Sequence, residues 1–73
     1  MSRTNYSAYM AIKNKIMEIF RTETFEKNKL PSEAALASRL GISLVTLRES
    51  LMMLALEGYI TKRHGSGNYV HPS

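Results

Sequence analysis

One segment constrains this fold more than any other. It is "LASRLGISLVTLRESL", residues 36–51, and it ends one helix and begins another within three residues. Leu36 and Leu40 stand four apart with Ala37 beside them, the apolar face of a short helix. Gly41 follows, the residue that takes a left-handed C′ conformation without a Cβ clash. Ser43 is a good N-cap for the next helix. Ile42 before the cap and Leu47 one turn inside it suit a hydrophobic staple. Leu47, Leu51 and Leu54 then recur at four and three, and Gly58 closes the helix. Upstream, Pro31 holds Leu30 extended, compatible with a very short strand. Ser32 caps a helix expected over 33–40, and Glu33 sits at the positive end of its dipole. Two helices joined by a glycine-started turn form a helix-turn-helix signature. The plain alternative is an ordinary helical corner.

The flanks add a third helix and a change of period. Tyr9, Ile12, Ile16, Ile19 and Phe20 fall at steps of three and four, while Lys13, Lys15, Glu18 and Arg21 lie mostly off that face. This predicts a helix from about Ser7 to Arg21. "TETFEKNK" reads as a connection, with Phe25 plugging the end of the core. After Gly58, "YITKRH" and "NYVHP" are short strand-like runs separated by "GSG" and Asn68. Helix-turn-helix plus hairpin is a winged helix: mainly α, three helices and a small β-hairpin. The expected module covers residues 6–71, with residues 1–5 a loose N-terminus.

Charge suggests a partner. Ten Lys and Arg face six Glu and no Asp, giving a net charge of +4. That balance suits a polyanion. With no cysteine there is no disulfide framework and no thiolate metal site. Two histidines are too few for a structural zinc, so neither metal nor cofactor is expected. No apolar run is long enough to span a membrane, and "MSRTNYS" is not a secretory signal, so a reduced cytoplasm is the expected compartment. No histidine pairs with a placed acid as a catalytic set would, so no enzyme is expected.

At this point the residues resemble the N-terminal domain of the GntR family of bacterial transcription regulators. The matching segments are "LPSE" at 30–33, "LASRLGIS" at 36–43, "TLRESL" at 46–51, "LEGYI" at 56–60 and "HGSGNYV" at 64–70. The resemblance implies a winged helix that binds double-stranded operator DNA as a homodimer. It also implies a C-terminal domain that senses a small molecule. The chain stops just after the wing, so that effector domain is expected to be absent here and the isolated module to be monomeric. The chain departs from the family's pattern where contacts are usual. Ala34 stands where the family often has Arg, Ala35 where it often has a capping Glu, and Leu44 where a base-reading Arg is frequent. Ser43, Thr46 and Arg48 match.

The expected DNA-binding residues are therefore Ser43, Leu44, Val45, Thr46 and Arg48 on the second helix of the motif, Arg39 before it, and Lys62, Arg63, His64, Gly65 and Ser66 in the wing. Arg48 is the strongest, about 100° round from Leu47 on the flank of the core. Its bland alternative is a surface arginine paired with Glu49 or Glu33. Ser43 is first a cap, and with Thr46 it can also bond phosphates or base edges. Leu44 and Val45 can touch thymine methyl groups but cannot hydrogen-bond bases. Arg39, Lys62 and Arg63 suit phosphates. His64 suits a backbone or minor-groove contact, and a bare glycine tip permits close approach. One face is less expected: Val45, Met52 and Leu56 fall opposite Leu47, with Met53 adjacent. Met52, Met53 and Leu56 are thus a candidate protein interface, since methionine suits adaptable contacts. The alternative function is a winged-helix protein-interaction module with little sequence-specific DNA binding.

Overall fold

The computed structural model describes residues 6–71; the N-terminal expectation for residues 1–5 lies outside them. Three helices and a hairpin follow in order: α1 (Tyr6–Thr22), α2 (Glu33–Leu40), α3 (Leu44–Leu56), β1 (Ile60–Arg63) and β2 (Gly67–Val70). This is the winged helix-turn-helix arrangement.

The punctuation acts as its chemistry dictates. Ser32 Oγ accepts from Ala35 N at 3.1 Å, and Ser43 Oγ accepts from Thr46 N at 3.1 Å. Each cap satisfies one of the orphan donors that open a helix. Gly41 is left-handed at φ 70°, and Ile42 N bonds back to Ala37 O at 3.1 Å, closing α2 in Schellman fashion. Gly58 at φ 87° turns the chain out of α3 and into β1.

The core sits where the three helices meet the hairpin. Tyr9, Ile12 and Ile16 come from α1, and Leu36 and Ala37 from α2. Leu47, Leu51 and Leu54 come from α3, and Ile60 and Val70 from the hairpin. Each fully buried leucine contributes roughly 1.5–3 kcal/mol by leaving water. Phe25 does not plug this core. It stays half-buried and stacks on Phe20, with ring centroids 6.3 Å apart. From this connection it is Leu30 that joins the core, at 3% exposed. The connection makes a 3₁₀ turn at Glu26–Asn28, with Lys27 and Asn28 at positive φ, and this swings Leu30 inward.

Leu30 also does what its extended conformation suggested. Its N–H bonds Asn68 O at 2.8 Å, and Lys29 bridges Tyr69, so residues 29–30 edge the hairpin as a rudimentary third strand. The hairpin is antiparallel, with Ile60 opposite Val70, Lys62 opposite Asn68 and Arg63 opposite Gly67. Ser66 N bonds Arg63 O at 2.9 Å, and Gly65 supplies the positive φ (76°) that a tight tip needs at this position.

Candidate nucleic-acid interface

The start of α2, the outer flank of α3 and the hairpin converge on one carboxylate. Glu33 opens α2. Arg48 Nε donates to its Oε1 at 3.0 Å from α3. Lys62 Nζ lies 3.6 Å from Oε2, and Asn68 Nδ2 donates to Oε2 at 3.3 Å, both from the hairpin. The hydrogen bond from Arg48, then that from Asn68, holds the Glu33 carboxyl below its usual range against the opposing effect of burial. Asn68 is 4% exposed, so this anchor is fixed by the fold.

Arg48 therefore adopts its bland expected pairing and still keeps a side chain 58% exposed. Lys62 is similarly open, at 66%. The two cations flank a hollow floored by Leu51, Met52 and Ala55. A second groove runs from Ser32 and Glu33 to Lys62, Arg63 and Ser66. Beyond the tip, Arg63 and His64 join Lys27 around a third hollow. The Arg63 guanidinium lies 5.0 Å from the Tyr69 ring centroid, a cation–π contact that steadies it. The Ser66 and Tyr69 hydroxyls are hydrogen-bonded at 2.5 Å.

Not every expected residue joins this assembly. Arg39 pairs with Glu23 through both terminal nitrogens and lines a groove with Lys15 and Glu18 from α1. That pairing ties α2 to the end of α1. Ser43 donates to Thr46 Oγ1 at 2.9 Å while accepting from its N–H, so its hydroxyl is taken up by the cap. Thr46 keeps its own proton to donate. Leu44 is half-buried and packs on the core, whereas Val45 is 65% exposed. Met53 also turns inward against the core and so leaves the expected interface face; Met52 (63%) and Leu56 (82%) remain exposed. Leu44 lies about 60° round the helix from Leu47 and Met53 about 120° round on the other side, so neighbouring elements, not the angle alone, cover them.

Sequence reasoning did not place Asn68 or Lys27 at the site, and it met Glu33 only as a dipole partner and a possible mate of Arg48. Asn68 had a faint signal, a polar residue at an inward-facing hairpin position. Lys27 had none, because its position depends on two left-handed residues in a polar connection. Among the described residues no cluster of His, Cys, Asp or Glu could hold a metal, and no helix is long and apolar enough to cross a membrane.

Comparison with known proteins fits this geometry. The sequence pattern of the bacterial regulatory proteins of the gntR family matches residues 6–70. The fatty acid metabolism regulator protein of Haemophilus influenzae is 43% identical over 44 residues, covering 60% of this chain and 18% of that protein. The Exu regulon transcriptional regulator of Escherichia coli is 42% identical over 43 residues, 59% of this chain and 17% of that protein. The chain thus spans under a fifth of the length of these curated relatives. The N-terminal domain of AraR, solved in complex with mutant ORR3, superposes with a TM-score of 0.72 at 24% identity over 97% of both chains, a likeness of fold. The chain belongs to the gntR family of bacterial regulatory proteins and is a winged-helix DNA-binding domain of that family.

Proposed function

We propose that residues 6–71 bind double-stranded operator DNA, with α3 in the major groove and the wing along the minor groove or the phosphate backbone. The observation that carries this reading is the convergence of Arg48 and Lys62, both well exposed, on one side of the fold with the wing-tip cations adjacent. Arg48 and Thr46 are the hydrogen-bonding contacts from α3. Lys62, Arg63, His64, Gly65 and Ser66 lie against backbone or minor groove. Arg39 serves the fold first, through Glu23, and reaches phosphate only by giving up that pair.

Val45, rather than half-buried Leu44, makes the apolar base contact. A thymine methyl opposite Val45 is the fitting partner, since valine cannot answer the acceptors of guanine. The parent regulator works as a homodimer on paired half-sites and senses its effector through a further domain. On its own the winged helix is a weak monomeric binder.

The test is binding to random and selected duplexes across salt. Engaging several phosphates makes affinity fall steeply as salt rises. Absence of binding even at low salt would leave the second reading, a protein-interaction module using exposed Met52 and Leu56. A base-by-base scan then probes the readout: strong guanine preference opposite Val45 would sink the methyl contact.

A further inference from the structure

The Glu33 cluster has more chemistry than the groove placement uses. A negative charge sits inside a surface that is to face phosphates, which by itself weakens association. It is nevertheless bonded by two of the cations assigned to DNA, and it is anchored by a buried amide. A carboxylate there has to be doing something other than attracting DNA.

The manner of bonding is informative. Glu33 takes Arg48 through Nε, the inner side of the guanidinium. An arginine held that way keeps its two terminal nitrogens as a planar fork, the edge that matches a guanine O6/N7 pair or a phosphate bidentately. Unheld, the same side chain samples many rotamers and must lose that freedom on binding. The second carboxylate oxygen meets Asn68 and Lys62 on the hairpin. One residue therefore fixes the direction of the helix arginine and the position of the wing relative to α3.

We propose that Glu33 is a positioning and specificity-determining residue: it aims Arg48 into the groove, registers the wing against α3, and cancels part of the site's positive charge so that non-specific duplex is held weakly. This rests on the DNA-binding reading above. In sequence-independent binding only the summed charge counts, and Glu33 opposes it. At a matching site the aimed fork recovers that loss through base contact. Glu33 thereby raises the ratio of specific to non-specific affinity while lowering raw affinity.

Two substitutions separate charge from geometry. Glu33→Gln keeps a carbonyl acceptor for Arg48 but removes the charge; Glu33→Ala removes both. The probes are a duplex enriched from a random pool by the wild-type chain, and the unselected pool itself, each titrated across salt. Thermal melting runs in parallel. For Glu33→Gln, affinity for the unselected pool rises by roughly 3–10-fold at low salt and the log–log salt slope steepens by about one. For Glu33→Ala, the preference for the enriched duplex falls further, by about 10-fold or more, as the buttress goes. Adding Arg48→Ala to Glu33→Ala then produces little further loss of preference, because the two act through one contact. An unchanged preference and slope in both variants overturns the proposal while leaving wild-type DNA binding intact. So does a fall in affinity for both duplexes in step with lost melting temperature, which marks a purely structural residue. Wild-type chain that binds neither duplex at low salt removes the DNA reading itself, and this inference with it.

Discussion

The two ends of α3 are each tied down by one glutamate, and the ties differ in kind. At the far end, Glu57 receives the Tyr9 hydroxyl at 2.5 Å and Lys13 Nζ at 3.5 Å, both from α1. Lys13 also lies 4.1 Å over the Tyr59 ring. Tyr9 is fully buried, and burial first, then its bond to Glu57, drives its phenol well above the ordinary range. At the near end, Glu33 binds Arg48 and Lys62, whose side chains are more than half exposed. Both carboxyls are held below their usual values, Glu57 by the Tyr9 bond and Glu33 by the Arg48 bond. Both glutamates have a buried partner, Tyr9 for Glu57 and Asn68 for Glu33, but the cation on Glu57 is largely covered whereas the two on Glu33 still reach solvent. An ion pair's meaning thus lies in what its partners can still touch.

The comparison can be broken or sharpened by experiment. The largest effect is expected from Leu47→Ala, which removes a fully buried side chain from the core that both ends rest on. It should cost about 2–5 kcal/mol in denaturant unfolding, and both ties should fail together. Next, Arg48→Ala should lose about 1–3 kcal/mol of binding to an enriched duplex while stability falls by no more than about 1 kcal/mol, as for an exposed ion pair. A large melting shift would make the near end scaffold after all. Tyr9→Phe should do the converse: the melting midpoint falls by roughly 4–8 °C with the relative preference among duplexes intact. Met52→Lys should leave folding within about 0.5 kcal/mol, since that side chain is exposed, whereas Met53→Lys should destabilise; equal outcomes would contradict the division of that face.

Acid gives the finest test. A carboxyl held below its unfolded value contributes stability that is complete above the ordinary range, about 4.3 for glutamate. That contribution is lost as pH falls through the lower folded value. Stability should therefore hold near neutrality and decline on acidification from about pH 4 downward. Glu33→Gln and Glu57→Gln should each soften that decline, measured as melting temperature against pH. A flat acid limb in wild type would mean that neither tie contributes.

Local rules settled much of this protein without any structure. The bounds of α2 follow from Ser32, Pro31 and Gly41, and the start of α3 from Ser43, because caps and stops act through backbone groups a few residues away. The leucine face of α3 recurs at four and three, and the hairpin shows as two β-forming runs around a glycine-rich tip, both displayed directly by sequence. The match to the gntR pattern followed from the same segments. What tertiary packing alone decided is which shoulder of each helix is covered. Leu44 and Met53 look as available as Val45 and Met52 until α1, α2 and the hairpin are set around α3. Arg48 stands out in sequence with Glu33 as a possible mate, but only the fold chooses Glu33 over Glu49 for Arg48 and brings Arg39 to Glu23 at the end of α1. Side-chain chemistry is written in the chain. Partners separated by 15 or 35 residues, as Glu33 is from Arg48 and from Asn68, are chosen only when the core closes and fixes the distances between elements.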